Sequence, residues 1–179
     1  MKRTLLFLMA LLLIVGNAWG QLTLESSTTD PSAGMPEHLY YMKNGNGIYV
    51  GTESKYMSNT PAIFALYQIE EGKYKIYDYT SKKWLTYTPQ SSYDEGIKDF
   101  VKTCNEKENA EYFYIDKFST NNYQILPRKS SGERSSVYLN YFQGTANNAN
   151  DGRGLGYWRQ NGSEDAGSKW NFYSKPYII

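Results

Sequence analysis

Aromatic and hydrogen-bonding side chains are concentrated between residues 143 and 167, the longest irregular stretch of the sequence. Two adjacent aromatic residues and four polar residues around them stand out: Tyr157, Trp158, Asp151, Arg153, Arg159 and Asn161. An aromatic ring covers the C–H face of a sugar, while carboxylate, amide and guanidinium groups bond to its hydroxyl edges. Long loops on a rigid scaffold commonly carry recognition. These six residues are therefore the candidate ligand-binding residues, and a carbohydrate is the ligand class that suits them.

A second interpretation of the same residues is that Leu155 to Trp158 form an ordinary strand. In strict alternation Leu155 and Tyr157 face one way and Trp158 the other, so at most one aromatic ring of the pair points outward. Trp84 belongs to an internal repeat described below and is predicted to be a core residue. Both interpretations of Tyr157 and Trp158 stay open on the sequence alone.

Groups that could carry catalysis are few. His38 is the sole histidine and Cys104 the sole cysteine, so the chain lacks the ligands of a usual zinc site and cannot form an internal disulfide. A lone histidine beside a polar lead-in is typical of a surface residue, and Cys104 is predicted to be a tolerated or buried thiol.

Paired carboxylates and glycine-rich turns give no stronger catalytic signal. The acidic pairs Asp94-Glu95 and Glu164-Asp165 lie on predicted loops and are expected to be solvated rather than placed for glycoside hydrolysis. Gly45-Asn46-Gly47 follows a strand but opens no helix, so it indicates a hairpin turn and not a phosphate loop. We therefore predict a non-catalytic protein without cofactor or metal.

The N-terminus has the three-part layout of a secretory signal peptide. Basic Lys2 and Arg3 precede an apolar run over residues 5–15, and Ala18-Trp19-Gly20 supplies small residues before a cleavage site at Gln21. The apolar run is shorter than the roughly 20 residues that span a bilayer. Residues 1–20 are predicted to be removed, and the product to be periplasmic or extracellular and not a lipoprotein.

Charge limits the partners of the mature chain. Without Lys2 and Arg3 it has 17 basic and 18 acidic residues, a net charge of −1. Nucleic acids and anionic membranes are bound through a basic face, so neither is expected as a partner. The expected partner is therefore a glycan or another protein, and the sequence does not determine the oligomeric state.

The remaining sequence predicts one all-β domain over residues 39–179, after a flexible N-terminal segment over residues 21–38 that is rich in Ser, Thr, Pro and Gly. Aromatic residues alternate with polar ones, and turn residues interrupt the runs every 8–12 residues. One exception is residues 93–109, where Ile97, Phe100, Val101 and Cys104 have helical spacing and predict a short helical insertion.

An ordered set of markers occurs three times along the chain. Each unit opens with a tyrosine followed two positions later by Met or Ile: Tyr40/Met42, Tyr74/Ile76 and Tyr123/Ile125. An aromatic-aliphatic pair comes next: Tyr49-Val50, Trp84-Leu85 and Tyr138-Leu139. An aromatic residue and an apolar one two positions on close the unit: Phe64/Leu66, Phe113/Ile115 and Trp170/Phe172. The predicted units are residues 39–72, 73–120 and 121–179.

Three units of about four short strands suggest a β-trefoil, a barrel closed by a hairpin cap; a β-sandwich with an inserted helix is the alternative. The chain resembles ricin-type β-trefoil (lectin-like) domains, and among them those of exported Bacteroidetes proteins. Two segments carry the resemblance. They are Tyr40-Tyr41-Met42-Lys43-Asn44 with Gly47-Ile48-Tyr49-Val50, and Ser168-Lys169-Trp170-Asn171-Phe172, which is similar to the family's glutamine-x-tryptophan step.

The chain departs from that family both in the glutamine-x-tryptophan step and in the residues that contact sugar. Ser168 stands in place of the glutamine, with Ala62 and Glu111 at the matching positions, and Phe64 and Phe113 replace two tryptophans. The family's set of aspartate, aromatic residue and asparagine is not assembled in any unit. The resemblance thus implies the fold more strongly than galactose binding. We expect a lectin-like carbohydrate-binding module; the alternatives are a protein-binding trefoil, such as a protease inhibitor, and a structural cell-surface module.

Overall fold

The alternating aromatic segments form antiparallel strands. The computed structural model describes residues 24–55, 60–93, 100–141, 154–158 and 165–175, and the predicted signal segment lies outside these ranges. The described residues form ten strands: β1 (Tyr40–Asn44), β2 (Phe64–Glu70), β3 (Lys73–Asp78), β4 (Lys83–Thr86), β5 (Lys102–Cys104), β6 (Phe113–Ser119), β7 (Asn122–Pro127), β8 (Tyr138–Asn140), β9 (Gly156–Trp158) and β10 (Trp170–Ser174). Within this part of the chain no helix has the length and apolar character needed to cross a membrane.

Six of the strands close into a barrel. The order is β2-β1-β10-β7-β6-β3, and a further pairing of β3 with β2 completes the ring. Strands β4 and β5 extend from β3, while β8 and β9 form a separate hairpin pair. Closure leaves the barrel strands without free edges, which removes sites for unwanted strand pairing.

The register of the barrel repeats three times. Met42 is opposite Phe172, Leu66 is opposite Ile76, and Ile115 is opposite Ile125. These residues are the apolar second members of the six marker pairs predicted from the sequence, and all six side chains are buried. The predicted unit boundaries at residues 72–73 and 120–121 fall in the turns of the β2–β3 and β6–β7 hairpins.

The closing aromatic residues Phe64, Phe113 and Trp170 lie in the barrel core with none of their surface exposed. Each is followed by an apolar residue on the same face of its strand, because side chains two positions apart share a face. Burying an aromatic side chain of this kind contributes about 1.5–3 kcal/mol. Because the chain has one cysteine and cannot form an internal disulfide, core packing stabilises the fold instead.

The cap contains a ring of hydrogen bonds with one residue from each unit. Val101 N donates to Leu155 O at 3.2 Å, and Leu155 N donates to Ser54 O at 3.1 Å. Ser54 Oγ completes the ring by donating to Val101 O at 3.0 Å. Ser54 has a φ of 63°, a left-handed conformation that is uncommon for serine. The third hydrogen bond of the ring is therefore donated by a side-chain hydroxyl, whereas the other two are donated by backbone N–H groups.

The predicted helix over residues 93–109 is wrong for the residues that the structure describes. Cys104 lies opposite Trp84 and Lys102 opposite Thr86 in the β4–β5 pair, and among the described residues 100–109 only the 3-10 turn Lys107–Asn109 is helical. A short helix of two or three turns gains little stability from its own hydrogen bonds. Pairing with β4 instead satisfies the backbone hydrogen-bonding groups of β5, and Phe100 and Val101 pack into the core. The strand partner β4 therefore determines the structure of this segment. Ile97 lies outside the described residues.

The segment predicted to be a flexible lead-in contacts the barrel over its described part. Leu24 joins the core cluster, and Ser27 N donates to Leu66 O of β2 at 2.8 Å. Glu37 accepts hydrogen bonds from Thr28 N at 2.9 Å and Thr29 Oγ1 at 2.6 Å. These bonds hold the pKa of the Glu37 carboxyl well below its usual range, with the Thr29 hydroxyl as the largest cause. Polar composition predicts mobility only where the polar groups lack protein partners.

Glu37→Gln is expected to loosen residues 24–38 at neutral pH. Since the pKa is lowered in the folded state, the carboxylate stabilises the segment above the ordinary glutamate range, and this contribution is lost as the pH falls through and below that range. Amide hydrogen exchange of the segment should be faster in the variant at pH 7, and the difference from the parent should shrink as the pH is lowered below the ordinary glutamate range. Equal exchange at pH 7 would contradict the role of Glu37.

Candidate binding site

Four of the six residues predicted to bind ligand, Asp151, Arg153, Arg159 and Asn161, lie outside the residues that the structure describes. Their grouping into one site stays a prediction. The remaining two, Tyr157 and Trp158, are consecutive residues of β9.

The Tyr157 side chain is fully buried and packs edge-on against two other aromatic rings of the core. The ring centroids are 4.7 Å from Phe100 and 5.2 Å from Tyr93. Tyr157 therefore lacks the exposed face that a ligand-binding ring needs, which corrects its assignment as a ligand contact. Trp158 is half-buried and lies opposite Tyr138 in the β8–β9 pair, so the alternation in β9 directs one aromatic residue inward and the next outward.

An open pocket of about 410 Å³ lies elsewhere on the molecule, and none of its lining residues belongs to β9. Three separate parts of the chain line it: the N-terminal segment, the β3–β4 hairpin and the turn after β5. Its lining residues are Asp30, Pro31, Ser32, Tyr77, Lys82, Trp84, Asn105, Glu106, Lys107 and Glu108.

The wall of this pocket is aromatic because of strand register. Tyr77 of β3 and Trp84 of β4 are direct cross-strand partners, and their ring centroids are 4.9 Å apart. Tyr67 of β2 packs against Trp84, with the ring centroids 5.0 Å apart. Burial is the largest cause that raises the pKa of both tyrosine hydroxyls, so they stay neutral and act as hydrogen-bonding groups. This cluster is separate from the barrel core and lies outside it.

The rim of the pocket is polar and carries both signs of charge. Asp30 Oδ1 accepts hydrogen bonds from Ser32 Oγ at 2.7 Å and Ser32 N at 2.8 Å, and these bonds lower the pKa of the Asp30 carboxyl. The Asp30 side chain is therefore a fixed anion at neutral pH. Lys82, which also lines the pocket, has its Nζ 3.2 Å from the centre of the Tyr79 ring.

Two groups considered for chemistry lie near the pockets. Cys104 is the cross-strand partner of Trp84, and burial, as the largest cause, raises the pKa of its thiol, which lowers its nucleophilicity. His38 Nδ1 is 3.0 Å from Glu25 Oε2, beside a smaller pocket of about 200 Å³. Over the described residues, His, Cys, Asp and Glu side chains form no group of three or more that could hold a metal ion.

Sequence reasoning missed this pocket because it placed Trp84 in the core and Asp30 in a mobile lead-in. Trp84 is only 3% exposed, yet its edge lines the pocket, so it serves both roles. The Asp30-Pro31-Ser32 triplet was the available signal, since aspartate followed by proline favours a turn that fixes a carboxylate. Nothing in the spacing indicates that this turn lies beside β3 and β4.

The barrel, the cap hairpins and the threefold register define a β-trefoil, and comparison with solved structures confirms this fold. ThreeFoil, a designed threefold-symmetric protein, matches with a TM-score of 0.54 and 15% identity, over 75% of this chain and 96% of its own. The BEL β-trefoil matches with a TM-score of 0.53 and 12% identity, over 86% of this chain and 100% of its own.

A salivary protein from Culex quiquefasciatus, of the cysteine and tryptophan-rich family, has a TM-score of 0.50 and 14% identity, over 78% of this chain and 95% of its own. No protein-family model and no curated protein matches the sequence. At these identities the likeness concerns the fold alone. The ricin-type resemblance stays an expectation.

Proposed function

We propose that this protein is an exported, non-catalytic module that binds a saccharide in the pocket lined by Tyr77 and Trp84. The observation that carries the proposal is an aromatic wall facing a polar rim within one open cavity. Its volume of about 410 Å³ falls within the range of roughly 300–1,000 Å³ that is typical of small-molecule sites. Export follows from the predicted signal peptide.

The chemistry of the pocket suits a sugar ring. Small exposed parts of Trp84 and Tyr77, 3% and 6% of their surface, offer a narrow apolar contact to the C–H groups of a sugar, and the burial of these rings keeps that contact rigid. Asp30 and Asn105 lie on the rim, where a carboxylate and an amide bond to neighbouring hydroxyl groups. Because Asp30 is held by Ser32, little side-chain freedom is lost when a ligand binds.

A glycan-array screen of residues 21–179 tests the proposal, with tryptophan fluorescence to confirm any hit. Asn105→Ala is expected to weaken binding about tenfold, which corresponds to one lost hydrogen bond in a small site. Asn105 is exposed, so the substitution should leave the fold intact.

Trp158→Ala serves as the matched control, because it removes an outward aromatic residue on β9, away from the lining of the pocket. The proposal requires that binding survive this substitution. Loss of binding in Trp158→Ala with full binding in Asn105→Ala would move the site to the predicted loop around β9. A blank array would favour a protein ligand, such as a protease, and pull-down experiments would follow.

A further inference from the structure

A lysine ammonium already occupies the aromatic wall of the proposed site. Lys107 Nζ lies 5.1 Å from the centre of the Tyr67 ring and 5.6 Å from that of Trp84. Both distances fall within the range of about 6 Å over which a cation is attracted to the face of an aromatic ring. The two rings are 3% exposed, and this side chain contributes to their cover.

Lys107 lies over aromatic rings although several carboxylates line the same pocket. Asp30, Glu106 and Glu108 line the same pocket, yet among the described residues Lys107 forms no ion pair. Lys73, in comparison, lies over the rings of Tyr112 and Tyr114 and also pairs with Glu70. The Lys107 ammonium therefore lies against the aromatic rings, while its charge also acts on the Asp30 carboxyl and helps to lower the pKa of that group.

The side chain of Lys107 can leave this position without unfolding the turn that carries it. Its carbonyl oxygen accepts hydrogen bonds from Lys75 Nζ at 2.6 Å and from Ala110 N at 3.1 Å, which anchor the backbone to β3 and to the start of the next segment. The side chain itself is held by its rings, and its displacement would uncover an aromatic surface surrounded by three carboxylates.

We propose that the pocket recognises the ammonium group of an amino sugar, which takes the place of Lys107 over Trp84 and Tyr67 while the carboxylates of the rim approach the same charge. This inference rests on the proposed saccharide binding and specifies the class of sugar. A free amine is protonated and makes both contacts, whereas an N-acetylated sugar has a neutral amide that makes neither. Lys107 thus acts as an internal competitor for the site.

The test compares two ligands of equal length, a tetramer of glucosamine and a tetramer of N-acetylglucosamine, by calorimetric titration of the mature chain. We expect the glucosamine tetramer to bind about tenfold more tightly, and its affinity to fall as salt is raised, because the contacts are between charges. Lys107→Gln should tighten binding of the glucosamine tetramer several-fold, since the competing cation is gone.

Lys169→Gln is the matched control for the lysine substitution. Lys169 Nζ also covers an aromatic ring, 5.6 Å from the centre of Phe118, but it does not line the pocket. Binding by Lys169→Gln should equal that of the parent. Circular dichroism of both variants checks that the fold is retained.

The outcomes separate this inference from the proposed function. Equal or tighter binding of the acetylated tetramer, or weaker binding of the glucosamine tetramer by Lys107→Gln, would overturn the ammonium site and leave saccharide binding intact. Binding of other glycans but of neither tetramer would do the same. Failure to bind any glycan would overturn both.

Discussion

Trp170→Ala is expected to lower the free energy of unfolding by about 3–5 kcal/mol, the usual cost of removing a large aromatic side chain from a packed core. Trp170 is fully buried in the barrel, and its indole Nε1 donates to Leu139 O of the cap strand β8 at 2.9 Å. The residue therefore joins barrel to cap as well as filling the core. Urea denaturation followed by circular dichroism measures the change.

Trp170→Phe is the natural control, since Phe64 and Phe113 occupy the matching places in the other two units. The phenylalanine variant keeps most of the buried aromatic surface but loses the hydrogen bond to Leu139 O, so its free energy of unfolding should fall by about 1–2 kcal/mol. If the alanine variant lost less than about 2 kcal/mol, the threefold core would be more adaptable than close packing allows.

Asp78→Ala is expected to destabilise the protein by about 3 kcal/mol, because it removes a buried acceptor and leaves three backbone donors without their partner. The Asp78 carboxylate is fully buried and accepts three backbone hydrogen bonds, from Glu53 N at 2.9 Å, Thr80 N at 2.9 Å and Ser81 N at 3.0 Å. These bonds tie the β3–β4 turn to the turn at residues 52–54 of the preceding unit. Urea denaturation gives the change in free energy.

Asp78→Asn tests whether the acceptor or the charge matters. Asn44 lies at the matching place of the first unit, and its Oδ1 accepts from Ile48 N at 3.0 Å in the turn after β1. An amide oxygen at residue 78 preserves part of the network, so this variant should lose about half as much stability as the alanine variant. Equal losses in the two variants would show that the second carboxylate oxygen is indispensable.

Local sequence patterns predicted the strands well because each half-buried strand carries its own signature. The marker pairs of the three units, such as Tyr40 with Met42, alternate with polar neighbours, and a side chain at every second position must face the same side of a sheet. Three repeats of one pattern then favour a closed threefold barrel, since each unit alone has too little apolar surface to form a core.

Over the described residues 100–109, the predicted helix was wrong for the opposite reason. The spacing of Phe100, Val101 and Cys104 fits one face of a helix. It fits equally well a buried segment, Phe100 and Val101, that leads into the short strand β5. The segment forms a strand because β4 is available as its partner. The position of β4 is set by the tertiary fold and not by the sequence of the segment itself.

The candidate site shows the same division. The alternation along β9 predicted that only one of Tyr157 and Trp158 points outward, and the core contacts of Tyr157 show which one is inward. The pocket at Trp84 had no comparable signal, because its lining comes from residues 30–32, 77–84 and 105–108, which are distant in the chain.

The sequence by itself therefore determined the all-β class, the strand pattern and the threefold repeat, all of which follow from local spacing and burial. Only the tertiary structure decided that the N-terminal segment packs against the barrel and that Lys107 covers Trp84. The physical reason is that strand patterns are set by neighbouring residues, whereas a pocket is set by the contacts between segments that folding brings together.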